Sequence, residues 1–166
     1  RLLHDTVRLQ IQLENSLFVA QPDGRLLGER VDLAAAVQRM AHDWPELRVS
    51  VEGTATATAD ARAFEAVGRN VFQNAVIHGG ATAVTATIER PATGRVRLVI
   101  EDNGAGLPES ALPTLGQPFS RPGATSGTGV GLFVCRRLVQ RMNGTMTFAC
   151  SASGRGLRVS IELPEA

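Results

Sequence analysis

Between a strand-like run, Arg95 to Glu101, and a helix-like segment opening near Gly129, the chain carries a stretch of about 25 residues, Asp102 to Ser126, rich in Gly, Pro and Ser. A connection of that length inside a compact domain is uncommon, and where it occurs it is usually a working part such as a binding loop or lid. The whole chain has 166 residues, enough for one domain of ordinary size with a short appendage. The stretch is therefore read together with the elements on either side of it.

Those elements alternate between helical and extended patterns. Leu2, Thr6, Leu9, Leu13, Leu17 and Ala20 recur at spacings of three or four, with a second apolar stripe of Leu3, Val7, Ile11 and Phe18 beside them. So wide an apolar face calls for more than one partner, and Gln21-Pro22-Asp23-Gly24 ends the segment with breaker residues. No cap precedes Arg1, so the helix is expected to be in progress where the sequence opens, as part of an inter-chain bundle. Asp32 is placed to cap a second helix to about Met40, and Asp60 a longer one through His78, with Phe64, Val67, Val71 and Ala75 inward and Gly79-Gly80 as its stop. Leu47 to Val51, Ala83 to Glu89, Arg95 to Glu101, Thr145 to Cys150 and Leu157 to Leu163 read as strands, and Gly129 to Met142 as the last helix, with Leu132, Cys135, Leu138 and Met142 inward. Two hairpins among these strands favour antiparallel pairing. The expected class is α+β: a two-layer α/β sandwich with a mixed, mostly antiparallel sheet and helices on one face.

Composition removes several chemistries. All 17 basic residues are arginine, and there is no tyrosine. Without lysine there is no Walker phosphate loop, no Schiff base and no strand lysine of the eukaryotic protein-kinase type. A net charge of +1 argues against a nucleic-acid-coating role. His4, His42 and His78 are scattered, and Cys135 and Cys150 lie fifteen apart, so neither a metal-ligand spacing nor a disulfide framework appears. The apolar runs are too short for a bilayer span, and no signal peptide opens the chain, so a reducing, cytoplasmic setting is expected.

Three segments carry candidate chemistry. Asn70, Asn74 and His78 fall at i, i+4 and i+8 on the long helix, where asparagine is a poor helix former; its amide can bind a hard cation or donate to phosphate, though a solvent-facing polar stripe explains the spacing equally well. Asp102-Asn-Gly104-Ala-Gly106-Leu107 sets a carboxylate and two glycines at the end of a buried strand. There the carboxylate can accept from an exocyclic amine such as that of adenine, while the backbone approaches a flat ligand; a plain polar turn is the competing reading. Gly127-Thr128-Gly129-Val130-Gly131-Leu132 runs into a helix whose free N–H groups favour an anion. It is not the dinucleotide fingerprint, since Leu132 stands where the third glycine belongs. Taken in order, the segments describe a nucleotide between a helix and a lid.

These residues resemble the ATP-binding domain of bacterial sensor histidine kinases, in the superfamily of gyrase, Hsp90, histidine kinases and MutL. Asn70 to His78 is similar to the family's N box, Asp102-x-Gly104-x-Gly106 to its first glycine box, Pro118-Phe119-Ser120-Arg121 to its phenylalanine box and Gly127 to Leu132 to its second glycine box. The resemblance covers Val31 to Leu163 and implies a Bergerat-type ATP-binding fold, with residues 25–166 as the catalytic domain and residues 1–24 as the C-terminal part of the dimerisation and phosphotransfer hairpin with its linker.

The resemblance also implies roles. Asn74 would coordinate Mg²⁺ and Asn70 would contact phosphate, with His78 completing the box. Asp102 would hold the adenine amine of ATP, with Gly104 and Gly106 shaping the pocket. Leu107 and Leu132 would line it. Gly127, Thr128, Gly129, Val130 and Gly131 would surround the phosphates. Phe119 would anchor the lid, and Arg121 would reach the γ-phosphate. The acceptor histidine is expected upstream, because His4-Asp5 lies too close to the ATP domain to be it. Partners implied are the protein's own phosphotransfer hairpin, a homodimer partner and a response regulator. Nucleic acid is not among them, and membrane attachment would come only through upstream segments of an inner-membrane sensor.

Two positions depart from the family pattern. Ile77 stands where the N box often has a basic residue, which leaves open a degenerate kinase serving as an interaction scaffold. Asn70 stands where the superfamily's ATPases carry a general-base glutamate, which favours phosphoryl transfer to a partner over hydrolysis and, with the N-terminal helix, argues against the other alternative, an anti-sigma-type serine kinase or ATPase of the same superfamily.

Overall fold

The computed structural model describes residues 2–20, 26–117 and 130–166. Its elements in chain order are α1 (Leu2–Ala20), β1 (Glu29–Asp32), α2 (Leu33–Ala41), β2 (Arg48–Glu52), β3 (Thr56–Ala59), α3 (Ala61–Gln73) continued by a π-helical turn (Asn74–His78), β4 (Ala83–Ala92), β5 (Arg95–Asp102), a short 3-10 helix (Glu109–Thr114), α4 (Gly131–Arg141), β6 (Thr145–Cys150) and β7 (Leu157–Pro164). Five strands form one sheet in the order β2-β4-β5-β7-β6. Only β2 and β4 are parallel; the other neighbours are antiparallel. The expected sandwich is thus the observed one.

Strand alternation divides the sheet into two chemically distinct faces. Register places Ala86 opposite Ile100, Ile88 opposite Leu98, Ile100 opposite Val159 and Leu98 opposite Ile161. All are buried in one core with Phe64, Val67, Val71 and Phe72 of α3 and Val134, Cys135, Leu138 and Val139 of α4. The other face carries cross-strand ion pairs. Glu162 accepts from Arg95 and Arg97, each at 3.1 Å, and Arg97 also reaches Glu89 at 3.2 Å. The Arg95 hydrogen bond, then that of Arg97, holds the Glu162 carboxyl below its ordinary range.

The helix starts follow the sequence closely. Asp32 accepts from the Ala35 N–H at 3.0 Å and Asp60 from the Ala63 N–H at 2.9 Å, each satisfying an otherwise orphaned donor. The second Asp60 oxygen accepts from the Leu27 N–H at 2.9 Å, which ties the incoming chain to α3. The small sheet of β1 and β3 was not expected from the sequence. α1 lies against α3 and α4. It sends Ile11 into the core and leaves Leu9, Leu13 and Leu17 at 66%, 62% and 54% exposure. Among the described residues no helix is long and apolar enough to cross a membrane.

Candidate functional site

The acidic turn after β5 is built almost entirely from backbone. Asp102 is buried at the last position of the strand. Its Oδ1 accepts from the Gly104 N–H at 2.8 Å and its Oδ2 from the Leu157 N–H at 3.3 Å. Burial pushes the carboxyl above its ordinary range, against the two N–H groups that pull it down. Each carboxylate oxygen keeps unused acceptor capacity, so the group can still take a hydrogen bond from a ligand amine.

Close approach dictates the glycines here. A Cβ on Gly104 would lie 2.6 Å from the Gly79 carbonyl oxygen, and one on Gly156 would lie 1.8 Å from that of Asp102. Gly106 and Gly156 also have φ of +69° and +92°, in the region that only glycine occupies freely. The Ala105 N–H donates to the Gly79 carbonyl at 2.8 Å, joining the turn to the end of the long helix. Asn103 completes that junction: its Oδ1 accepts from the N–H groups of Thr82 and Ala83, both at 2.9 Å. Leu107 comes next and is half-buried.

The polar helix differs from the expected single face. α3 gives way at Asn74 to a π turn, closed by the Gly79 N–H donating to the Asn74 carbonyl at 3.0 Å. One extra residue in that turn rotates the residues beyond it by about 100° relative to a continuous α-helix. Asn70 is buried at 3% exposure, Asn74 is half-buried and His78 is exposed. Asn70 is also engaged: its Nδ2 donates to Asn15 Oδ1 at 3.0 Å and to the Ala66 carbonyl at 2.9 Å, while its Oδ1 accepts from Asn15 Nδ2 at 2.9 Å. The Asn74 carboxamide, by contrast, has no hydrogen-bond partner among the described residues. Ile77, at 40% exposure, lies beyond it.

The last helix begins at Gly131, two residues later than expected, with Val130 before it and Leu132 half-buried. Val130 supplies no side-chain cap, and the N–H groups of the first turn have no acceptor within the helix. A Cβ on Gly131 would come 2.8 Å from Asn70 Oδ1, so this helix opening rests directly on the N-box asparagine. Phe119, Arg121, Gly127, Thr128 and Gly129 lie outside the described residues.

The acid-and-glycine turn is joined through Gly79 to the end of the long helix, and the opening of α4 lies over the asparagine pair on the same helix. The family described as histidine kinase-, DNA gyrase B-, and HSP90-like ATPase matches residues 59–166, which contain every one of these groups except Asn15. The chain belongs to this family.

Within it, the similarity runs to sensor kinases. The chain is 32% identical over 178 aligned residues to the sensor-type histidine kinase PrrB of Mycobacterium tuberculosis, an alignment that spans 98% of this chain and 39% of that protein. The crystal structure of the ATP binding domain of PrrB matches with a TM-score of 0.69 at 28% identity, over 84% of this chain and 98% of that one. Full-length ShkA, solved in complex with AMPPNP, matches with a TM-score of 0.73 at 26% identity, over 86% of this chain and 32% of that one. The chain thus corresponds to the ATPase-family domain of these sensor kinases and spans about two fifths of the length of the curated relative it matches.

Three contributors to this ATPase-family site escape sequence reading. Gly156 reads as an ordinary hairpin residue, and only its contact with Asp102 gives it a place in the site. Asn103 reads as a turn residue. Asn15 lies 55 positions from Asn70 on a helix read for its leucines, and no local pattern links the two.

Proposed function

We propose that this chain is the catalytic part of a two-component sensor histidine kinase, binding Mg-ATP and passing the γ-phosphoryl group to a histidine on an upstream hairpin, of which residues 1–24 are the end. The observation that carries this reading is the buried Asp102 carboxylate, caged by glycines and still able to accept from an adenine amine. Asn70 at the position of the ATPases' glutamate supports transfer to a protein acceptor, because no carboxylate stands there to activate water.

The residues present fit a magnesium ion that arrives with the nucleotide. Asn74 offers one unengaged amide oxygen, and among the described residues no group of three His, Cys, Asp or Glu gathers to bind a metal alone. Mg²⁺ usually keeps several waters and takes substrate phosphates with one or two protein oxygens. When bound, it supplies neutralisation of the phosphate charge. The chain's own part is positioning: Asp102 orients the base, Leu107 and Leu132 shield it, and the opening of α4 faces the anionic tail. Roles for Phe119, Arg121, Gly127, Thr128 and Gly129 rest on the motif resemblance. A homodimer partner and a response regulator complete the pathway, which draws on cytoplasmic ATP.

Autophosphorylation of the full-length protein tests this reading. Asn74→Ala and Asp102→Ala are each expected to abolish phosphohistidine while circular dichroism stays native. Normal labelling of the Asn74→Ala protein would refute the metal assignment.

A further inference from the structure

Asn70 is the meeting point of three elements. It sits on α3, pairs with Asn15 of α1, and lies under Gly131 at the opening of α4. A carboxamide has two N–H donors, and both of those on Asn70 are used, one by Asn15 and one by the Ala66 carbonyl. Asn70 therefore has no donor left for a phosphate oxygen while α1 is docked. A ligand that takes a hydrogen bond from Asn70 must displace either the Ala66 carbonyl, fixed within the same helix, or Asn15, which is carried on a separate helix.

Other described side chains of α1 also meet the domain. Ile11 enters the core, and Glu14 lies 3.7 Å from Arg69, a cation already shared with Asp43 at 3.0 Å and Glu65 at 3.5 Å. Leu9, Leu13 and Leu17 turn away from the domain. Among the described polar contacts between α1 and α3, the reciprocal amide pair is the one made by two buried neutral groups in good geometry. A buried polar pair that can exchange partners suits a two-position element, since a small free-energy gap is what a ligand can tip.

We infer that the Asn15–Asn70 pair is a latch: docking of α1 through Asn15 opposes nucleotide binding at Asn70, and Mg-nucleotide in turn loosens α1. This rests on the proposed function, in which the triphosphate lies at the Asn70–Asn74 end. Linkage makes the opposition reciprocal, so the factor by which docked α1 weakens the nucleotide equals the factor by which nucleotide weakens docking.

Calorimetry with a non-hydrolysable ATP analogue and Mg²⁺, on the 166-residue chain, tests the inference. Asn15→Ala is expected to bind the analogue about fivefold to tenfold more tightly, because Asn70 no longer has a competing partner. Alanine also favours a helix over asparagine, so the variant should keep α1 helical. Leu13→Ala, on the exposed side of the same helix, should bind as the parent does. In the parent, hydrogen exchange of the α1 amides is expected to speed up when the analogue is added, a readout that a merely structural asparagine would not give. Asn15→Leu serves as a second variant: it can neither donate to nor accept from Asn70, so it too should bind more tightly. Unchanged or weaker binding in both Asn15 variants, or α1 exchange unmoved by nucleotide, would overturn the latch. If the parent binds no nucleotide, or Asp102→Ala binds as well as the parent, the site reading itself fails. Tight, Asp102-dependent binding that ignores Asn15 removes the latch alone.

Discussion

The two ends of the candidate site are made differently. At the base end every group around Asp102 is backbone: the Gly104 and Leu157 N–H groups hold its oxygens, and the Gly156 main chain packs against its carbonyl. At the other end the important groups are side chains, and Asn70 spends its hydrogen bonds on a separate helix. Backbone fixed by close packing has one arrangement, whereas amides can exchange partners at a cost of about 1 kcal/mol per net hydrogen bond. Under the proposed function, base recognition is therefore built into the fold, and the phosphate end is where the state of the rest of the protein is felt.

The largest effect should come from disturbing the rigid end. Gly156→Ala places a Cβ 1.8 Å from the Asp102 carbonyl oxygen at a φ of +92°. The chain must shift there, and we expect a loss of about 3 kcal/mol or more in urea unfolding, with nucleotide binding lost as Asp102 moves. An alanine at 156 that leaves both unchanged would show that the base end is not fixed as described.

Asp102→Asn comes next. Each Asp102 oxygen accepts from a backbone N–H, so the new NH₂ must face a donor, either Gly104 or Leu157. A lost charged acceptor is worth about 1.5–3 kcal/mol, which is about 10- to 100-fold in calorimetric affinity. The same carboxyl sets a pH signature. Burial raises its folded-state value, so the folded chain takes up a proton before the unfolded chain does. Its contribution to stability is therefore greatest in acid and declines as pH rises from the ordinary carboxylate value through the raised one. Affinity should run the other way, rising over the same window as the acceptor ionises. Thermal melts and titrations carried upward in pH from the ordinary carboxylate range should show both slopes, and Asp102→Asn should abolish both.

How much of this was legible in the sequence tracks the same division. Local chemistry carried the helix caps at Asp32 and Asp60, the strands of the main sheet and the Asp102 turn, because each depends on neighbours within a few positions. β1 and β3 were not legible: β3 is Thr-Ala-Thr-Ala, and alanine gives little strand preference until a partner covers it. The π turn at Asn74 was hidden because the apolar spacing up to Val71 and Ala75 suits an unbroken α-helix. Asn15–Asn70 and Gly156–Asp102 span 55 and 54 positions, and pairings made by packing leave no periodic trace.

The smallest expected effect sharpens the comparison from the adjustable end. Ile77 is 40% exposed within the Asn74–His78 turn, at the position where the motif resemblance expects a base. Ile77→Arg adds a cation near the phosphates without filling a buried space, so the fold should be indifferent to it. An exposed charge pair contributes about 0.2–1 kcal/mol, which amounts to affinity up to about fivefold tighter by calorimetry. Because the group is solvated, the gain should shrink as salt is raised, whereas the Asp102 contribution, made in a buried site, should hardly change. A salt-independent gain as large as the Asp102→Asn loss would mean that the phosphate end is as closed and preorganised as the base end. The asymmetry between a fixed base pocket and a partner-dependent phosphate pocket would then not hold.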